Sequence, residues 1–145
     1  GRLMVAIVVT STATGPLFKL GGEPLRRAMR GTVQELVERG EQRLDQVLRP
    51  RPGGVYLSVA QAQKGKASTG HYRRSLHGSV KDLYGRIDDG RVVYGPWLEG
   101  TSSRNQSTRF KGYASFRRTS QFLQRDAVRV LLAHVSKAVR DFNGV

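Results

Sequence analysis

Apolar positions along this chain follow two periods. Val5, Ile7, Val8 and Val9 make a β-branched run within residues 3–10, which predicts a strand. Thr10 to Leu20, with Gly15 and Pro16, reads as a loop or a frayed continuation, so residues 1–22 form a strand and arm. From Glu23 the spacing changes to three and four: Leu25, Met29, Val33, Leu36, Val37, Leu44, Val47 and Leu48 share one helical face. Pro24 suits the first turn of that helix, and Pro50 with Pro52-Gly53-Gly54 stops it. Gly40 in its interior marks close packing or a bend. Glu35 and Arg39, four apart, are expected to pair on its solvent side.

Beyond the helix the pattern shortens. Val55–Val59 is a strand candidate, and polar Gln61–Gly70 reads as a loop. Ser75–Val80, Leu83–Ile87 and Arg91–Tyr94 predict a three-stranded meander, with Asp88-Asp89-Gly90 as a hairpin turn. Residues 100–118 hold mainly polar and basic side chains and predict a long loop, a kind of segment that often carries function. The chain closes on an amphipathic helix from about Thr119 to Phe142, with Leu123, Ala127, Val128, Leu131, Val135, Ala138, Val139 and Phe142 as its stripe and Asn143-Gly144 as its stop. The expected fold is α+β: a small antiparallel meander sheet packed by a long helix of the N-terminal half and a long C-terminal helix, with an extended N-terminal strand, all in a single domain over 1–145.

Charge adds a constraint that the pattern lacks. The 145 residues carry 25 Lys and Arg against 11 Asp and Glu, a formal +14, which attracts nucleic acid, anionic membranes or acidic protein faces. The excess is greatest at the end: Arg104, Arg109, Lys111, Arg117 and Arg118 fall within fifteen residues that contain no acid. With no cysteine, disulfides and thiolate chemistry are ruled out and synthesis in a reducing cytoplasm is expected. No apolar run approaches the roughly 20 residues of a membrane span.

Catalytic chemistry finds little support. His71, His77 and His134 lack metal-ligand spacing, and Asp88, Asp89 and Glu99 read as turn residues before they read as a divalent-cation site. Lys64-Gly65-Lys66-Ala67-Ser68-Thr69-Gly70 misses the phosphate-loop pattern. The expectation is a protein without catalytic activity, metal, cofactor or small-molecule substrate. Arg109, Phe110, Lys111, Tyr113, Phe116, Arg117 and Arg118 interleave basic and aromatic groups, as in nucleic-acid-binding modules. Alternatively Phe110 and Phe116 dock the loop on the core while the basic groups meet solvent or a neighbouring subunit.

The stretch Tyr94-Gly95-Pro96-Trp97-Leu98-Glu99-Gly100-Thr101 sets the chain's single Trp beside a carboxylate and between two glycines, either as an ordinary turn anchor or as the base of the basic loop. It resembles the Tyr-x-x-x-hydrophobic-Glu-x-Gly-Thr element of the tail-completion and head-tail joining (neck) proteins of long-tailed bacteriophages, the lambdoid gene-ten-product-like minor tail components, with the glycine here immediately after Glu99. Thr69-Gly70-His71-Tyr72-Arg73-Arg74-Ser75-Leu76 resembles the same family's Thr-Gly, Leu-Arg-x-Ser-hydrophobic run, departing from it at His71-Tyr72. The order of elements over residues 24–142 is also similar, although Thr108-Arg109-Phe110-Lys111-Gly112-Tyr113 replaces the usual Arg-Pro-Phe-hydrophobic loop exit.

The resemblance implies a structural virion protein made in the bacterial cytoplasm. It would form a ring, sixfold in expectation, that connects the capsid connector or stopper to the tail terminator or tube, with packaged DNA in the channel. Trp97, Glu99, Arg104, Arg109, Phe110, Lys111, Tyr113, Arg117 and Arg118 are then the expected contacts with neighbouring subunits and rings. Gly70, Ser75, Tyr94, Gly95, Pro96, Gly100 and Thr101 are the expected structural motif. In this setting the N-terminal strand is expected to add to a neighbouring subunit's sheet. The alternative is a free basic nucleic-acid-binding module.

Overall fold

The computed structural model describes residues 4–12, 16–48, 71–92, 94–109 and 111–143. In chain order the elements are β1 (Ala6–Thr10), α1 (Pro16–Val47), α2 (His71–Arg74), β2 (His77–Lys81), β3 (Tyr84–Asp88), α3 (Gly95–Glu99), α4 (Arg104–Ser107) and α5 (Ser115–Phe142). The α+β expectation holds: a three-stranded antiparallel sheet of order β1-β3-β2 packs against two long helices. Val55–Val59, Gln61–Gly70 and the motif residue Gly70 lie outside the described residues.

Alternation in the strands sets one face of the sheet on the helices. Ile7 pairs with Ile87 and Val9 with Gly85, and these point inward. Ala6, Val8 and Thr10 stand opposite Asp88, Arg86 and Tyr84 on the outer face. The β2–β3 hairpin turns at Asp82-Leu83, the two residues between the paired Lys81 and Tyr84, and Asp82 takes a positive φ of 51°, which a short polar side chain tolerates. Arg26 and Arg30 of α1 grip that turn through the Asp82 carboxylate, and the Arg26 hydrogen bond holds its pKa below the ordinary aspartate value.

Three sequence expectations need correction. Arg91–Tyr94 forms no strand among its described residues, and Asp88-Asp89-Gly90 is the exit from β3: the Asp88 and Asp89 carboxylates accept backbone N–H groups of Gly90 (2.8 Å) and Arg91 (3.0 Å), an Asx geometry that draws the chain out of the ladder. Helix α1 starts at Pro16, earlier than Glu23, but breaks at Gly22 (φ 52°, ψ −139°), so Pro24 does stand in the first turn of the long straight segment. The N-terminal strand β1 pairs with β3 and stands at one edge of the sheet.

The two long helices run antiparallel. Gly31 meets His134, Arg39 meets Asp126 at 3.4 Å, and the Arg43 guanidinium lies 4.4 Å from the centre of the Phe122 ring, so the i, i+4 row of α1 follows α5. The Glu35–Arg39 pair forms at 2.9 Å, but at this helix seam and not on the open side: Arg39 also reaches Asp126, and Glu35 meets His134 at 3.2 Å. Gly40 is a close-packing glycine. A Cβ there would press on Ile87 of β3 and come within 3.1 Å of Leu123 of α5.

One buried cluster joins the layers, with Val5, Ile7 and Ile87 from the sheet, Leu36, Val37 and Leu44 from α1, and Phe116, Leu123 and Val130 from α5. No described helix is long and apolar enough to cross a membrane.

Gly85 sits where the central strand touches α1. A Cβ there would lie 2.8 Å from Val33 Cγ1 and collide with Val37, two β-branched side chains held to one rotamer in a helix. Gly85→Ala is therefore expected to destabilise the fold by about 1–3 kcal/mol, read as a lower urea midpoint with unchanged slope.

Candidate functional site: a clasped basic loop

Residues Tyr94 to Arg118 form two short helices and the start of a long one, arranged so that the chain crosses itself. Helix α3 begins with Pro96 in its first turn and ends on Gly100, whose φ of 105° is open to glycine at little cost. There the N–H groups of Gly100 and Thr101 both donate to Pro96 O at 2.9 Å. Leu98, 3 % exposed, plugs the helix into the core. Gly95 has no room for a side chain, since a Cβ would strike the Asp89 carboxylate and lie 3.4 Å from the Tyr72 ring.

The return strand passes over this helix end. A Cβ on Gly100 would meet Lys111 O, and one on Gly112 would meet Gly100, so the two glycine backbones lie against each other. Tyr113 N–H donates to Leu98 O at 2.7 Å and Ala114 N–H to Glu99 O at 3.1 Å. Residues 101–111 are thereby closed into a loop whose two ends touch, as in an Ω-loop.

Glu99 completes the closure. Helix α5 starts at Ser115, four residues before the predicted Thr119, and its N-cap is Ala114, which has no side-chain acceptor. The Glu99 carboxylate takes that role: Phe116 N–H donates to Oε1 at 2.7 Å and Arg117 N–H to Oε2 at 3.1 Å. An anion at this end also complements the helix dipole. Burial nonetheless pushes the Glu99 pKa above its ordinary value, outweighing the two backbone hydrogen bonds and the Arg117 and Arg118 charges that pull it down.

Within the loop, side chains replace a core. Asn105 is buried; its Nδ2 donates to Trp97 O at 3.0 Å, and its Oδ1 accepts from Ser102 N–H at 3.0 Å. Arg104 lays its guanidinium over the Trp97 ring, 5.5 Å from the centre. Lys111 Nζ donates to the carbonyls of Asn105 (2.7 Å) and Gln106 (3.3 Å), which neutralises the open end of α4.

The predicted site residues therefore divide into two groups. Trp97, Glu99, Lys111, Gly100 and Thr101 build the clasp, while Arg104, Arg109, Arg117 and Arg118 are exposed around it. Tyr113 is half-buried at the crossing, Ser75 closes the turn after α2 by donating its N–H to Tyr72 O, and Phe110 lies outside the described residues. The stretch 100–118, expected as one long loop, holds helix α4 and the first turn of α5.

The two stretches that carry the resemblance meet in space. Tyr72, at the point where the first departs from the family pattern, is buried against Tyr94 of the second, with ring centres 6.0 Å apart. Its hydroxyl donates to Asp89 Oδ2 at 3.2 Å. Asp89, 0 % exposed, has its pKa raised by burial, and burial raises that of Tyr72 as well. Among the described residues no group of three His, Asp or Glu is placed to hold a metal; Asp88, Asp89 and Glu99 each serve the backbone.

Sequence reading missed Asn105 and Gly112. Ser102-x-x-Asn105 has the spacing of a reciprocal cap, which was the available signal for α4, and glycines flanking a polar stretch at positions 100 and 112 were the signal for the crossing. No family model matches the chain, and the comparisons with curated proteins and with solved structures gave no match.

Removing the substitute cap orphans two N–H groups, so Glu99→Ala is expected to cost about 1–2 kcal/mol. The pH dependence follows from the raised pKa. Protonation favours the folded state, so the contribution of Glu99 is fully present below its ordinary value of 4.5 and is lost as pH rises through the folded value. Melting curves of wild type and Glu99→Gln across the acid range are expected to show the wild type losing ground to the variant as pH rises.

Proposed function

We propose that this chain is a non-enzymatic ring component of the neck of a long-tailed bacteriophage, joining the DNA-filled head to the tail or completing the tail. The observation that carries this reading is the clasp: the stretch resembling the family element is the device that closes and aims a basic loop. Each element residue has a task there, with Leu98 as plug, Glu99 as cap for α5, and Gly100 as crossing point.

A loop fixed at both ends holds Arg104 and Arg109 in place, and the first turn of α5 holds Arg117 and Arg118, before any partner arrives, so little ordering entropy opposes docking. Four exposed guanidinium groups suit the carboxylates of an adjacent ring, and they speed encounter with an acidic face. Subunits of a closed ring meet through two different surfaces. Strand β1 offers one of them. Val5 O and Ser11 N bond toward β3, so the backbone groups of Ala6, Val8 and Thr10 face the open edge of the sheet. A groove of about 510 Å³ runs beside that edge, between Met4–Ile7 and the Phe116–Gln124 portion of α5. An extended segment of a neighbour fits such an edge by strand addition.

Cryo-electron microscopy of the protein mixed with head-connector and tail-tube proteins of a long-tailed phage is expected to show it as a symmetric ring at their joint, with the 101–111 loop against an adjacent ring. Arg104→Glu with Arg109→Glu is expected to abolish docking and lower the thermal midpoint by no more than a few degrees, because both side chains are exposed and only the contact of Arg104 with the Trp97 ring is lost. A chain that stays monomeric with those partners, yet binds duplex or single-stranded DNA with a steep salt dependence, overturns the neck reading in favour of a nucleic-acid-binding module.

A further inference from the structure

Helix α5 is apolar on two sides. Phe116, Leu123 and Val130 face the core, and on the far side Val128, Leu132, Val135 and Val139 form a second row at spacings of four, three and four. Val128 is 65 % exposed, Leu132 58 % and Val139 49 %, while Val135 is half-buried. Single exposed apolar residues are ordinary. Four in one row, about 16 Å long at 1.5 Å per residue, have the alternating three-and-four spacing of a helix-pairing seam, whose knobs fit holes on another helix.

The seam's surroundings identify its occupant. Arg125 continues the row one turn ahead of Val128, Arg129 and Arg140 lie on one side of it, all three are exposed, and α5 as a whole holds six Lys or Arg against two acids, Asp126 and Asp141. Asp126 is already engaged with Arg39 and Arg129. A second copy packed seam to seam would bring these arginines against their own counterparts, which is unfavourable in a helix pair. A lipid surface fits less well, because interfacial helices bury a broad apolar face with aromatic anchors. Here the row is roughly 60° wide at 3.6 residues per turn, is built from Val and Leu, and lies on a helix whose other side is committed to the core.

We propose that the outer face of α5 is a docking surface for a helix of a different protein, one whose apolar seam is flanked by Asp and Glu. The apolar row supplies the contact area and the arginines select the partner and its register. This surface is separate from the clasped loop, and Arg104→Glu with Arg109→Glu leaves it intact, so its test stands apart from that of the neck reading.

The test uses the full chain and two synthetic helical peptides of about three heptads, both with a Leu/Val seam, one with Glu at the flanking positions and one with Lys. Fluorescence anisotropy at low salt is expected to show binding of the Glu-flanked peptide only. Leu132→Gln with Val139→Gln should weaken it by about tenfold or more, and Arg125→Glu with Arg140→Glu should turn the preference to the Lys-flanked peptide. These side chains are exposed, so circular dichroism of both variants should match wild type. Equal binding of the two peptides, or binding of neither, overturns the proposal. So does a dimer in sedimentation velocity that Leu132→Gln dissolves, which assigns the face to a second copy. Co-sedimentation with phosphatidylserine vesicles that Leu132→Gln abolishes assigns it to lipid and overturns it equally.

Discussion

A helix that begins without a capping side chain must borrow one, and the Glu99 carboxylate is what α5 borrows. Much of the molecule follows from that loan. Because the acceptor belongs to α3, the start of the C-terminal helix is tied to the end of a short helix sixteen residues earlier in the chain, and the segment between them has to return to its origin. The return is possible only where two backbones can touch, which is why glycine stands at both 100 and 112. The core contribution of Leu98 then fixes the whole assembly against the body of the protein.

Helix α1 links the other parts. Its inner residues Val33 and Val37 lie over Gly85 in the central strand, and its i, i+4 row from Gly31 to Arg43 follows α5 in the opposite direction. The charged groups at this seam are not deeply buried, so Arg39 with Glu35 and Asp126 contributes modestly to stability and more to register. At the far end of the hairpin, Asp82 receives Arg26 and Arg30, which fastens a two-residue turn to the helix that crosses it.

The layers were legible in the sequence because periodicity reports burial directly. The β-branched run at residues 5–9 and the three-and-four spacing of Met29, Val33, Leu36 and Val37 each have one interpretation. The turns were less legible. Asp88-Asp89-Gly90 is a good hairpin sequence, yet Asp82-Leu83 makes the hairpin, since strand register is fixed by which face meets α1 and the turn must comply. The clasp was visible only in part: the residues were singled out, but their roles depend on partners distant in sequence, Phe116 and Arg117 for Glu99 and Tyr72 for Tyr94. In the C-terminal helix, one stripe was read where two exist, since Val128, Val135 and Val139 satisfy the same spacing rule as Leu123 while standing on the opposite side.

The crossing of Gly100 and Gly112 separates the loop's length from the fold. Where a loop spans two distant elements, each inserted residue alters their separation; where its ends touch, the elements are indifferent to what lies between. Extending residues 101–111 adds only closure entropy, roughly 0.6 kcal/mol for each doubling of length. The protein therefore holds Arg104, Arg109 and Lys111 in a cassette, variable in size, on a frame that need not be redesigned when the loop lengthens.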